Sequence, residues 1–454
     1  MKPSLPKGTR DFPPVEMSRR NYILGRIQDV FNRYGYRQIE TPAMENLTTL
    51  TGKYGEEGDQ LLFKVLNSRI HESVKKTELL DAFNQSLQRN TNSELLTERA
   101  LRYDLTVPFA RFVVMHQHEI TFPFKRFQIQ PVWRADRPQK GRYREFVQCD
   151  ADVIGSTSLM NEAELIQMTR EVFTALGLSV TIKINNRKIL AGMAEVTGAA
   201  DKIIDLTVAL DKLDKIGKDK VVEELVAKGL NDHSINSLMP VLNFHSDSMD
   251  QTISFLSEWL QSSVIGMKGV SEIKEVISIC GHDQLDIDIT LARGLNYYTG
   301  AILEVKSNDV QIGSIAGGGR YDDLTGVFGM HGISGVGISY GIDRIYDVLE
   351  ESGQWNNAVF ETGRTKVLFV NFGENESRFC VQAAQILRKA GINTEVYPDP
   401  AKMKKQLAYA DDLKIPFVIL AGSEEISSGQ LTLRNMSTGD QQKLSLNEII
   451  QQLS

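Results

Sequence analysis

The chain predicts an α+β fold that ends in a separate small α/β domain, and three observations carry that expectation. Residues 124–155 read as two strands joined by a basic loop, each strand alternating apolar and polar positions. Residues 185–280 form one long helical stretch, dense in lysines and acids. Beyond residue 365 the pattern becomes strand, helix, strand, helix, strand, which predicts a mainly parallel sheet.

The opening KGTRDFPP is an extended arm, since each proline biases its predecessor away from helix. Ile23, Ile27, Val30, Phe31 and Tyr34 then recur at helical spacing, and Gly35 closes the run. A short strand over 36–40 leads to Thr41-Pro42, and 52–64 reads as a loop with a short strand. Residues 67–98 are polar, with helical spacing around Leu79, Leu80 and Phe83, and read as a surface excursion. In 100–111, Leu101, Tyr103 and Leu105 alternate with Arg102, Asp104 and Thr106, the period of a strand.

The hairpin follows. Phe127, Ile129 and Val132 mark its first strand, and Phe146, Val147, Val153 and Ile154 its second. Between them Arg134, Arg137, Lys140, Arg142 and Arg144 crowd a turn marked by Pro138 and Gly141. Such a cluster builds no core, but planar bidentate donors match phosphate oxygens. The plain alternative is a solvated surface loop. Asp150 and Asp152 alternate on the second strand, so both carboxylates point to one face. Cations at one end and acids further along suit a zwitterionic or cationic substrate beside a nucleotide.

A helix over 162–175 and a strand over 178–184 precede the helical stretch. After it, Leu285, Ile287, Ile289 and Leu291 alternate as a strand running into Arg293-Gly294. SIAGGGRYDDL, residues 314–324, is glycine-rich between two strands. It has neither GKS nor GxGxxG, so it supports no Walker loop or dinucleotide fold. GVGISYGIDRIYDVL, residues 335–349, reads as a strand and then a helix. Expected boundaries are a core over 1–184 and 285–350, a helical insertion over 185–284, a linker over 351–365 and the last domain over 366–454.

With 454 residues and a formal net charge of −7, nothing global advertises nucleic acid, so any RNA contact needs a local basic patch. Cys149, Cys280 and Cys380 lie far apart without CxxC, and His116 and His118 lack further ligands at metal spacing. The expectation is no metal site, a reducing compartment and a cytoplasmic protein without signal peptide or membrane span.

RPQKGRYREF resembles motif 2 of the class II aminoacyl-tRNA synthetases, and in its wording the histidyl-tRNA synthetase family. The helix, strand and proline over 23–42 resemble motif 1, LARGLNYYTG and SIAGGGRYDDL the two histidine-specific motifs, and 335–349 motif 3. The resemblance implies a class II core, an antiparallel sheet flanked by helices, with an insertion that contacts tRNA and a C-terminal anticodon-binding domain. It implies a histidine–tRNA ligase that forms histidyl-adenylate from L-histidine and ATP with Mg²⁺, then charges tRNA(His), as a homodimer. Catalysis would rest on Arg293 and Arg134. Asp104, Thr106, Gln148, Asp152, Tyr297, Tyr298 and Tyr321 would hold histidine, and Arg134, Asp136, Arg142 and Arg344 would hold ATP. The chain departs from the family at 67–98, at Asp104 where relatives more often carry Glu, and at Asn296 where most carry Asp. The alternative is a synthetase-like histidine-sensing subunit without catalysis, whose signs are loss of the catalytic arginine and of the last domain.

Overall fold

The computed structural model describes residues 2–453 except 53–54, 74, 90–92, 247, 293–296 and 356–364; the side chains of 55–57 and 89 are likewise outside the description. It separates into two compact units, Met1–Trp355 and Asn356–Ser454.

In the first unit the helix Pro14–Arg33 opens on a proline at its first turn and buries Ile23, Ile27, Val30 and Phe31, the predicted stripe. Strands follow in order: β1 Arg37–Gln38, β2 Met44–Asn46, β3 Lys64–Val65, β4 Arg99–Leu101, β5 Phe124–Trp133, β6 Glu145–Ile154, β7 Val180–Asn186, β8 Leu285–Ile287, β9 Ala301–Ser307, β10 Ala316–Asp322 and β11 Ser334–Gly341. Eight of them form one sheet in the order β1-β5-β6-β11-β10-β9-β7-β8. Its outermost pairs, β1 with β5 and β7 with β8, are parallel, and the pairs between them are antiparallel. β2, β4 and β3 make a small antiparallel sheet.

One face of the large sheet is apolar. Phe127, Cys149, Ala151, Val153, Ile182, Ile184, Leu303, Val305, Val336, Ile338 and Tyr340 join the helices Pro14–Arg33 and Met160–Leu176 in a single buried cluster. The helical stretch runs from Arg187–Val196 to Val264–Cys280, and its buried Leu190, Met193, Val270 and Ile273 belong to that cluster too. The opposite face is polar, and the site lies on it.

Four local expectations are corrected. Residues 100–111 are not one strand: β4 ends at Leu101, and Thr106–Met115 is a helix. Asp104 Oδ1 accepts from the Val107 amide at 3.2 Å, satisfying a first-turn donor that a strand would not leave free. The glycine-rich segment lies not between strands but forms β10 itself, paired on both sides. Within 52–64, Gly55–Gln60 is helical. The strand expected over 285–291 stops at Ile287. In the excursion over 67–98, the helix Lys76–Arg89 buries Leu79 and Ala82 and leaves Leu80 and Phe83 exposed.

The second unit is a five-stranded sheet of β12 Val367–Phe369, β13 Thr394–Val396, β14 Phe417–Leu420, β15 Leu431–Asn435 and β16 Gln441–Leu444, ordered β13-β12-β14-β15-β16. The three strands read from the sequence are parallel, as expected. β15 and β16 extend them antiparallel, so the sheet is mixed. Asn435, whose side chain accepts from the Ser437 amide, and Gly439 at φ +81° turn the chain back too tightly for a parallel crossover. Most of the expected linker lies outside the described residues.

Candidate active site

Strand register assembles the polar face. Across the sheet, Arg126 on β5 stands beside Asp152 on β6, then Gly337 on β11 and Gly319 on β10. The neighbouring row is Gln128, Asp150, Ser339, Gly317 and Glu304. The alternation that buries Cys149, Ala151 and Val153 on one side therefore delivers both acids to the other. A pocket of about 210 Å³, counted to its open mouth, is lined by Thr106, Asp150, Asp152, Tyr298, Gly317, Tyr321, Gly337, Ile338 and Ser339.

Glycine makes this pocket possible. A Cβ on Gly337 would sit 2.0 Å from Asp152 Oδ1, and one on Gly335 would sit 2.3 Å from Tyr321 Cε2. The two bare positions on β11 let an acid from one neighbour and a phenol from the other lie across the strand and meet. Tyr321 Oη donates to Asp152 Oδ1 at 2.8 Å, and Arg126 Nη2 stands 2.8 Å from Asp152 Oδ2. Arg126 itself is wholly buried, with Phe109 stacked 4.2 Å from its guanidinium.

Burial governs the electrostatics here. It raises the Asp152 carboxyl, against the pull of Arg126 and of the Tyr321 hydrogen bond. It raises Asp150 to about 7, with Arg126 opposing and the Asp152 charge adding to the rise. The Tyr298 and Tyr321 phenols are pushed up by burial and by the nearby Asp152 charge, so both stay protonated donors. Tyr297 Oη reaches Asp104 Oδ2 at 3.3 Å.

The basic hairpin loop forms the second half of the site. Arg134 lies over the rings of Tyr103 at 4.2 Å and Phe146 at 5.1 Å, with its Nε donating to the Tyr103 carbonyl at 3.1 Å. Arg142 is half exposed and 3.7 Å from Asp136. Arg344, in the first turn of the helix Ile342–Glu351, donates from Nε to the Gly141 carbonyl and from Nη1 to the Ser314 carbonyl, each at 2.7 Å. It thereby ties the loop to the segment before β10.

Of the predicted site residues, Thr106, Asp152, Tyr298 and Tyr321 share the pocket. Asp104 and Tyr297 meet each other, and Gln148 Nε2 bonds the pocket's Ser339 at 2.7 Å. Arg134, Asp136, Arg142 and Arg344 gather around the hairpin loop. Arg293 and Asn296 lie outside the described residues. His116 pairs at 3.1 Å with Glu119 at the surface. Sequence reasoning left Arg126 and Ser339 out of the site, and named Asp150 as an acid of its face without giving it a ligand contact. For Asp150 the signal was present, since it shares its alternation with Asp152. A buried cation such as Arg126 has no signature in a single chain.

An antiparallel sheet that sets an arginine-rich hairpin and a strand–helix unit around one polar face is the catalytic core of a class II aminoacyl-tRNA synthetase. Within that class, the chain belongs to the histidyl-tRNA synthetase family: the model of that description matches residues 8–74 and 84–345, and the "Anticodon binding domain" model matches 366–454. The break in the first match falls inside the 67–98 excursion. Proteins named histidine–tRNA ligase from Phocaeicola vulgatus and Bacteroides fragilis are 56% and 55% identical over 454 residues, covering 99% of this chain and 98% of each relative. The crystal structure of histidyl-tRNA synthetase from Nostoc sp. is 30% identical, with a TM-score of 0.80 over 100% of this chain and 99% of that one. The apo enzyme from S. aureus shares the fold at 20% identity, TM-score 0.69, over 100% of both chains.

Proposed function

We propose that the chain is a histidine–tRNA ligase that activates L-histidine with ATP and then transfers histidine to the 3′ end of tRNA(His). The observation that carries this reading is the charge layout of one sheet face, an acidic pocket floored by Asp150 and Asp152 beside a rim of Arg134, Arg142 and Arg344. Asp104 and Thr106 hold the substrate's α-ammonium, and Asp152, Tyr298 and Tyr321 receive the imidazole. With its cationic groups drawn to the acids, histidine turns its carboxylate toward the arginines and the α-phosphate of ATP. That carboxylate is the nucleophile, pyrophosphate leaves, and the chain's work is positioning and charge stabilisation. Arg134 holds the α-phosphate region with Asp136 and Arg142 around it, Arg344 takes the γ-phosphate, and Arg293 stands at the reacting carboxylate. Gln148 is bonded to Ser339 at the pocket mouth, and Tyr297 braces Asp104.

Mg²⁺ enters with ATP and would neutralise phosphate charge. An oxygen donor suited to a hard cation is present on this face in the buried carboxylate of Glu304, three strands from Asp150. Residues 366–454 read the anticodon, and the helical insertion over 185–284 meets the tRNA. The enzyme works in the cytoplasm as a homodimer; among the described residues no helix is long and apolar enough to cross a membrane. The sensing-subunit alternative is disfavoured, because the chain keeps Arg293 and the C-terminal domain and matches named ligases end to end.

The test is ATP–pyrophosphate exchange with each of the twenty amino acids, followed by charging of tRNA(His). Exchange with histidine alone, followed by charging, is the expected result. Histidine binding without exchange would favour the sensor.

A further inference from the structure

The charges of Asp152 and Asp104 both bear on Asp150, and the guanidinium that bears on both strand acids is Arg126. Asp152 accepts a hydrogen bond at Oδ1 from Tyr321 at 2.8 Å, and its Oδ2 has an ion-pair contact with Arg126 at 2.8 Å but, like Asp150 Oδ1, accepts no hydrogen bond from any described residue. Asp150 is differently placed. It is 2% exposed, it lines the pocket, and its hydrogen bond is to Ser339. Its Oδ1 accepts no hydrogen bond from any described residue. A buried carboxylate oxygen without a donor is costly, and Asp150 is one of the residues that line the pocket.

We infer that Asp150 is a specificity-determining residue that accepts a hydrogen bond from a ring N–H of bound histidine. The inference rests on the histidine reading above and assigns a residue that reading leaves unused. The ring is favoured over the α-ammonium by enclosure. Asp150 shares its space with Asp152, Tyr298 and Tyr321; of the two ammonium residues Thr106 also lines it, whereas the acid Asp104, held by Tyr297 and the Val107 amide, is not part of that lining. An imidazolium donates from both ring nitrogens, and two carboxylates two residues apart on one strand provide an acceptor for each. The raised Asp150 carboxyl agrees with a group waiting for a donor. A polar pocket of this kind rejects a ligand that lacks the N–H, because the acceptor is then left unpaired.

Direct binding tests this without relying on turnover. Histidine, its two ring-N-methyl isomers and imidazolepropionate, which lacks the α-ammonium, are titrated calorimetrically into the full-length protein, Asp150→Asn and Asp150→Ala. Asp150→Ala should weaken histidine binding about tenfold and cut the preference for histidine over one of the two methyl isomers by at least about tenfold. Asp150→Asn keeps the shape and a neutral acceptor and should fall between. The preference over imidazolepropionate should hold in every variant. Unchanged methyl ratios in a folded Asp150→Ala overturn the inference. So does a collapse of the imidazolepropionate ratio alone, which would give Asp150 to the ammonium. A wild-type protein that binds no histidine would instead sink the proposed function, and this inference with it.

Discussion

Gly337→Ala is the smallest change that reaches the substrate pocket without touching any of its polar groups. The added Cβ would fall 2.0 Å from Asp152 Oδ1, 2.4 Å from its Cγ and 3.0 Å from the Ala151 carbonyl. A carbon and an oxygen settle no closer than about 3.3 Å, so the carboxylate has to withdraw by about 1 Å. Backbone cannot absorb that shift, because Gly337 is paired with Asp152 on one side and Gly319 on the other. The carboxylate then leaves its 2.8 Å contacts with Tyr321 and Arg126, and on the proposed function the imidazole loses its shaped partner. A displacement of about 1 Å in a positioned group costs about 100-fold, or about 2.7 kcal/mol, in kcat/KM. Histidine-dependent ATP–pyrophosphate exchange should show that loss in kcat/KM for histidine. KM for ATP should stay within about twofold, since the hairpin rim is untouched. Gly337→Ala with wild-type histidine kinetics and an unchanged Tm would refute the claim that the bare backbone at this position makes the pocket.

Two further expectations concern the surroundings of the site. Arg10 pairs with Asp343 and lies 3.5 Å over the Tyr143 ring, while Asp343 also accepts from Arg20 at 2.7 Å and from the Val147 amide at 3.1 Å. Arg10→Ala should therefore loosen the hairpin loop against Arg344, raising KM for ATP about three- to tenfold while calorimetric histidine affinity holds; the gain is modest because Arg10 is part exposed. Asp150 is raised from 3.8 to about 7, so the folded protein binds more protons there than the unfolded chain between those values, and stability present below about pH 4 is lost as pH rises through about 7. Asp150→Asn does not titrate, so its Tm relative to wild type should climb by a few degrees between about pH 5 and pH 8 in ligand-free protein; a flat difference would mean Asp150 is not the buried acid described.

Where one period ran cleanly, the sequence was readable. Phe127 to Val132 and Val147 to Ile154 alternate, and β5 and β6 run where that alternation put them. Ile23, Ile27, Val30 and Phe31 gave the helix Pro14–Arg33 for the same reason. β10 was missed as a strand because three successive glycines carry no apolar alternation; their pairing with β9 and β11 is a tertiary fact. Asp104 and Thr106 were placed on a strand because Leu101, Tyr103 and Leu105 mimic its period, whereas the Asp104 side chain spends its hydrogen bond on starting a helix. The pocket's members were largely legible through their motifs. Their division of labour was not: that Arg126 makes its ion pair with Asp152 depends on β5 and β6 pairing in this register.

That register also bears on why the chain needs no nucleophile of its own. Cations stand at the hairpin end of the sheet face and acids deeper along β6, with Gln148 between them and bonded to Ser339 in the Asp150 row. On the proposed function, a zwitterion with a basic side chain has one low-energy orientation over such a gradient: ammonium and imidazole inward, carboxylate outward. The same rim attracts the phosphates, so binding alone brings carboxylate oxygen and α-phosphorus together. Fixed cations then meet the charge that grows on the phosphoryl oxygens, and fixed charges need no reorganisation as the reaction proceeds. Burial of the Asp152 carboxylate is offset by one guanidinium and one phenol: Arg126 pairs with it directly from β5 to β6, and Tyr321 reaches it from β10 across the glycines of β11. On the proposed function, selectivity for histidine and the aim of its carboxylate thus share one structural cause, the bare β11 backbone over which the pocket side chains meet.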